Sequence, residues 1–227
     1  TAFREDWYQL KFAIEYNRED YLNAEMSAKE LLLNKPENKR YYVQLSAIYN
    51  ILEKYDLSLA TIEVSYMKGL LEKPEEFTNL ASFYLYKQNP AMSARVLETA
   101  LSNNNIEFDK ANAKLLSDAW LFAKERSRSL EVIGRSLDED PKDEKLIKQY
   151  INIAFSAFNW DEVINGINRA NINGIEDDGK HALMIGIAFF EKKNLKKAEA
   201  SFIDASKSKK YADQGKAWLE YLNALNG

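Results

Sequence analysis

Few residues in this chain are of the kinds that carry out chemistry. His181 is the only histidine, and there are no cysteines. A nucleophilic triad needs a base held between a nucleophile and a carboxylate, and a histidine metal site needs further ligands at fixed spacing. Neither constellation surrounds His181, which reads as a structural or surface residue. The lack of cysteine excludes a disulfide framework, thiolate metal sites and a cysteine nucleophile. The run Glu176-Asp177-Asp178-Gly179 has the composition of a calcium loop but lacks EF-hand spacing and its terminal Glu. It falls where a helix should begin, and acids favour that end of the helix dipole. The run Asp138-Glu139-Asp140 reads as a solvated loop, and no carboxylate pair sits in an implied pocket. No glycine-rich phosphate loop is present. The chain is therefore expected to hold no catalytic residue, cofactor or metal, and not to be an enzyme.

Composition narrows what must position the remaining residues. Of 227 residues 46% are hydrophobic and 29% charged, which is ordinary globular material. With 8 Gly and 4 Pro there are too few turn residues for an all-β chain, so long helices with short connections are expected. A net charge of −4 gives no basic footprint for nucleic acid. No apolar run is long enough to span a bilayer, so no direct membrane insertion is expected. The chain opens Thr1-Ala2-Phe3-Arg4, without initiator Met or signal peptide, and is expected to be a processed piece whose targeting signal lies upstream.

Internal repetition is the dominant signal. Gly186, Ala198 and Ala205 are small residues 12 and 7 positions apart, and the same offsets recur at Ser117/Ser129/Ser136, Ala81/Ser93/Ala100 and Ser46/Ser58/Ser65. Larger residues keep the register at Ile151/Val163/Ala170 and Phe12/Ala24/Leu31. Aromatic slots hold Tyr49, Tyr84, Trp120 and Phe189. The first anchors, at 12, 46, 81, 117, 151 and 186, are separated by 34, 35, 36, 34 and 35 residues. This period predicts antiparallel helix pairs, A and B. A small residue on A is expected to face one on B (Gly186 against Ala198, for example), and stacked pairs bury a shared core. Pro74-Glu75-Glu76 and Asn89-Pro90 open helices, while Pro141 closes a unit. The expected array occupies 1–208, with hairpins at about 4–36, 37–72, 74–105, 107–141, 142–173 and 177–208. A terminal capping helix over 209–227 carries Trp218, Tyr221, Leu222 and Leu225. No cap precedes Trp7, so the array is expected to continue upstream.

This anchor pattern resembles the tetratricopeptide repeat (TPR) family over nearly the whole chain. The resemblance implies an all-α, TPR-like α-solenoid, a superhelix of antiparallel helix hairpins with a C-terminal capping helix. Several runs look like the C-terminal half of proteobacterial TPR proteins encoded beside TonB, ExbB and ExbD components. They are Trp7-Tyr8-Gln9-Leu10, Tyr41-Tyr42-Val43-Gln44-Leu45-Ser46, Ala81-Ser82-Phe83-Tyr84-Leu85, Leu115-Leu116-Ser117-Asp118-Ala119-Trp120 and Gln214-Gly215-Lys216-Ala217-Trp218-Leu219-Glu220-Tyr221. That closer resemblance implies a periplasmic, partner-binding accessory protein of a TonB-type system. A cytoplasmic TPR adaptor and the recognition arm of a larger enzyme are the alternatives.

In TPR architecture the A helices line a concave groove. Positions three before, and one and four after, each A-helix anchor should face it. In the last two units these are Lys148, Asn152, Phe155, Leu183, Ile187 and Phe190, with Lys145 and Lys180 one turn earlier. In the fourth unit they are Lys114, Asp118 and Leu121, and in the first three Gln9, Ala13, Tyr16, Val43, Ala47, Asn50, Thr78, Ser82 and Leu85. Lys145, Lys148 and Lys180 are expected to form a positive patch beside exposed apolar residues, suited to a protein or peptide partner with an acidic group. Lys148 and Asn152 occupy slots used by carboxylate-clamp TPRs, but Met184 stands where the next repeat of such a clamp carries Asn. Phe155, Ile187 and Phe190 could instead pack against the capping helix.

Overall fold

A computed structural model describes residues 3–226 and, among them, thirteen helices and no strand. The chain divides into two compact units, Thr1–Phe108 and Asp109–Gly227.

The first unit holds α1 (Glu5–Asn17), α2 (Tyr21–Asn34), α3 (Lys39–Ile51), α4 (Tyr55–Met67), α5 (Pro74–Tyr86) and α6 (Pro90–Ser102). They pair as hairpins α1/α2, α3/α4 and α5/α6, with α2 packed on α3 and α4 on α5. The second unit holds α7 (Lys110–Phe122), α8 (Arg126–Glu139), α9 (Glu144–Ser156), α10 (Trp160–Ile172), α11 (Lys180–Glu191), α12 (Leu195–Ser206) and α13 (Ala212–Asn226). It repeats the plan with α7/α8, α9/α10 and α11/α12, and α13 lies on α12.

All the anchors are buried except Ser136, which is partly exposed. The Ser46 and Ser58 hydroxyls meet at 2.7 Å, and those of Ser117 and Ser129 at 3.0 Å. Small side chains here let two backbones approach and let buried hydroxyls satisfy one another. Gly186 works differently. A Cβ built there would lie 2.5 and 2.6 Å from Phe202 ring carbons. The group facing Gly186 is thus the Phe202 ring, not Ala198, and the glycine makes room for an aromatic that is itself stacked on Trp218, centroids 5.1 Å apart and planes at 9°.

Every A–B connection turns the same way. The middle residue has a left-handed backbone: Glu19, Glu53 and Gln88 in the first unit, Lys124, Phe158 and Lys193 in the second, with φ between 56° and 65°. The next residue's N–H then donates to the carbonyl five positions back, as in Asn89 to Tyr84 (2.8 Å) and Asn194 to Phe189 (2.8 Å). This closes the A helix by the Schellman pattern. The same residue starts the B helix: Asp20, Asn89, Asn159 and Asn194 each accept from an amide three positions on.

Contacts between neighbouring hairpins recur at about one repeat spacing. Lys39 bonds Glu72, Lys68 bonds Glu37, Lys110 bonds Asp143, Arg169 bonds Asp138 and Lys192 bonds Asp161. Exposed pairs of this kind are worth at most about 1 kcal/mol each, so they set register while the apolar clusters hold the stacks. Tyrosine hydroxyls also donate to glutamates, between hairpins for Tyr41 to Glu5 and within the α9/α10 hairpin for Tyr150 to Glu162, both at 2.5 Å. Burial, then the adjacent carboxylate, raises the Tyr150 phenol above its ordinary range.

Candidate binding surface

The A-helix face of the second unit carries an open hollow of about 600 Å³ between α7 and α9, lined by Leu121, Lys145, Lys148, Gln149, Asn152, Ile153 and Ser156. A second hollow, about 390 Å³, lies where α7, α8 and α9 meet and shares Lys145 and Gln149 with the first. The A helices present residues to this face because their opposite sides carry the buried positions, Ala113, Leu116 and Ser117 on α7 and Ile147, Tyr150 and Ile151 on α9.

The structure divides the expected groove residues into two groups. Lys145, Lys148, Asn152 and Leu121 come together at the larger hollow, and Lys114 lines the smaller one. The positive patch is thinner than expected, because one of its three lysines is answered by an acid. Lys148 pairs with Glu144 one turn back on its own helix, and Lys114 pairs with Asp118. Lys180 donates from Nζ to Asn152 Oδ1 at 2.6 Å, which brings its charge to the rim of the same hollow. Among the described residues, Lys145, exposed on α9, and Lys180 both reach this face without an ion pair. Phe155 is half-buried, with its ring edge-on to Trp160 at 5.7 Å.

Leu183, Ile187 and Phe190 are not on an open groove. They pack with Ala198, Phe202 and Leu222 beneath α13, and the Phe190 ring lies 5.1 Å from Trp218 and 5.8 Å from Tyr221. The last A helix turns its apolar face to the terminal helix, which covers the area a partner would need. In the first unit Gln9 donates to the Tyr41 hydroxyl at 2.6 Å, and Tyr16 meets Tyr21 edge-on. Ala13, Val43, Ala47, Asn50 and Ser82 are exposed, and Thr78 and Leu85 half-exposed. Gln149, which lines both hollows of the second unit, was not expected from anchor offsets. It stands two residues before the anchor Ile151, between two of the offsets used.

His181 lies on the other side of the hairpin, near the B helices. Its Nδ1 is 3.2 Å from Asp177 Oδ2. Asp177 also accepts from the Gly179 N–H at 2.9 Å and from the His181 N–H, so its carboxylate ties down the start of α11. Burial holds the imidazole below its ordinary pKa against the pull of Asp177. The surrounding hollow includes Ser201, but that hydroxyl donates to the Lys197 carbonyl at 2.9 Å. Among the described residues no three His, Asp or Glu side chains are grouped to hold a metal ion.

No protein-family model matches the chain, and no curated protein does. Solved structures do match. A tetratricopeptide repeat protein from Parabacteroides merdae aligns over 96% of this chain and 84% of its own, at 13% identity and a TM-score of 0.43. PilW, a type IV pilus biogenesis factor, aligns over 96% of this chain and all of its own, at 14% identity and a TM-score of 0.46. YrrB, a TPR protein with an unusual peptide-binding site, aligns over 78% and 89%, at 13% identity and a TM-score of 0.48. At such identities and TM-scores these likenesses carry no argument about function. By its own anchors, turns and stacking, the chain is a tetratricopeptide-like helical-repeat protein.

Proposed function

We propose that this chain is a protein-binding scaffold that holds an extended segment of a partner on the A-helix face of its second unit. The observation that carries this reading is the open hollow between α7 and α9. Its floor is apolar, from Leu121 and Ile153, and its rim offers two amides and an ammonium, from Gln149, Asn152 and Lys145, with the Lys180 ammonium bonded to Asn152. Side-chain amides both donate and accept, so they match a peptide backbone whatever its side chains. Lys145 adds a preference for an acidic group nearby. Because Lys114 and Lys148 are answered by acids on their own helices, long-range attraction is a minor part of binding here.

We assign the scaffold to the periplasm, as an accessory of a TonB-type energy-transducing system, on the strength of the sequence runs around Trp7, Tyr41, Ala81, Leu115 and Trp218. Immobilised chain should retain TonB, ExbB or ExbD from solubilised membranes. Lys145→Glu combined with Asn152→Ala should abolish that retention with an unchanged melting temperature, because both side chains are exposed. Glu131→Lys, on the exposed side of α8, should not affect it. Retention lost with Glu131→Lys and kept in the double variant would place the partner on the outer face. Retention of none of the three proteins would remove the TonB assignment alone.

A further inference from the structure

The A–B turns of the second unit carry residues that folding does not ask for. Their left-handed positions hold Lys124, Phe158 and Lys193, and because the three hairpins stack, these residues fall in a row along one edge. The same positions in the first unit hold Glu19, Glu53 and Gln88. A bulky aromatic is poorly suited to a left-handed backbone, where Gly or Asn is the favoured choice. Yet Phe158 has φ 56° and stands 73% exposed, its ring edge-on to Trp160. Phe122, which ends α7 on the same edge, is 67% exposed. Arg126 begins α8, where the helix dipole favours acids over cations. The edge thus gives up local backbone stability to display aromatic rings among charges, where Lys124, Arg126 and Lys193 stand beside Glu125 and Glu191 and Asp161 is answered by Lys192.

The form of the edge indicates what it meets. Phe122 and Phe158 stand on turn tips, outside the hollow between α7 and α9. A row of protruding rings flanked by lysines suits a flat target with an apolar interior and an anionic surface. We propose that this edge of the second unit docks on a bilayer containing anionic lipid, with Phe122, Phe158 and the Trp160 edge at headgroup depth and Lys124, Arg126 and Lys193 against the phosphates. Among the described residues no helix is long and apolar enough to cross a membrane, so the chain lies on the surface without spanning it. The docking edge adjoins the proposed partner hollow, since Phe122 and Phe158 follow Leu121 and Ser156 by one and two residues, but neither ring lines it.

The test is flotation with vesicles of phosphatidylcholine alone and of phosphatidylcholine and phosphatidylglycerol in equal parts. The chain should float with the mixed vesicles, not with the neutral ones, and be released by high salt. Each cation near an anionic surface is worth about fivefold in partitioning, so Lys124→Glu with Lys193→Glu should weaken binding more than about tenfold. Phe158→Asn separates docking from folding. Asn suits the left-handed position, so this variant should melt no lower than the parent and still lose about tenfold in vesicle binding. No flotation with mixed vesicles at low salt, or undiminished flotation of a well-folded Phe158→Asn, would overturn the proposal. The latter result would leave the edge to a protein partner.

Discussion

Gly186 is the position where the fold can be challenged most sharply. A Gly→Ala change inside an exposed helix gains about 1 kcal/mol from helix propensity. At Gly186 the new Cβ would stand 2.5 Å from one Phe202 ring carbon and 2.6 Å from another. Unstrained carbon contacts lie at about 3.5–4.0 Å, so the ring must retreat by about 1 Å. It has little room, because Phe202 is fully buried and its ring is stacked on Trp218. Overpacking of this kind costs about 1–3 kcal/mol, which cancels or exceeds the propensity gain. Gly186→Ala should therefore fall between no gain and a loss of about 2 kcal/mol, and Gly186→Leu should lose about 3 kcal/mol or more. Urea unfolding followed by circular dichroism measures both. Phe202→Leu should partly rescue Gly186→Ala, with a coupling of about 1–2 kcal/mol in a double-mutant cycle. A Gly186→Ala chain more stable than the parent by the full propensity gain, or strict additivity with Phe202→Leu, would refute the ring-over-glycine contact.

Three further outcomes follow from the structure. Gly215 lets α13 rest on the end of α12, since a Cβ there would lie 2.6 Å from Ser206 N and 2.9 Å from the Phe202 carbonyl oxygen. Gly215→Ala should loosen the terminal helix and shift tryptophan emission to the red through exposure of Trp218, while the other helices keep their circular dichroism. The Ser93 hydroxyl is buried without a hydrogen bond among the described residues. Ser93→Ala should therefore raise stability by up to about 1 kcal/mol in urea unfolding, whereas Ser58→Ala, which breaks the bond to Ser46, should lower it by about 1 kcal/mol. His181 is held below its ordinary pKa, by burial first and by Lys180 and Lys148 next, against Asp177 and Asp178. The unfolded chain therefore binds the proton more readily, so this residue's contribution is intact above the ordinary imidazole range and is lost as pH falls through the lower folded value. Melting temperatures between about pH 7 and pH 5 should drop more for the parent than for His181→Gln.

The repeat was readable because a 34-to-36-residue period leaves its mark on eighteen anchors at once, and burial alone selects small or apolar types there. The partner of Gly186 was misread for a geometric reason. Offsets place Ala198 opposite, but a helical side chain leans toward its own N-terminus and covers the turn before it, so Phe202 reaches back over that level. The positive charge at Lys148 and Lys114 was overcounted, although the correction was in plain view. Glu144 stands four residues before Lys148 and Asp118 four after Lys114, the spacing at which helix neighbours pair. Leu183, Ile187 and Phe190 were assigned to the groove by a rule that treats every A helix alike, yet the last one has a terminal helix against it in place of a following hairpin. The left-handed turns gave little warning, because none of the six A–B turns uses glycine at that position.

The central claim, that the second unit binds its partner on the A-helix face, is tested most directly by site-specific photo-crosslinking in the producing cell. A photoreactive residue at Ser156, which lines the hollow, should give one discrete adduct, and TonB, ExbB or ExbD is the expected product. The same residue at Glu131, on the exposed side of α8, should give none. Adducts from Glu131 with nothing from Ser156 would contradict the account.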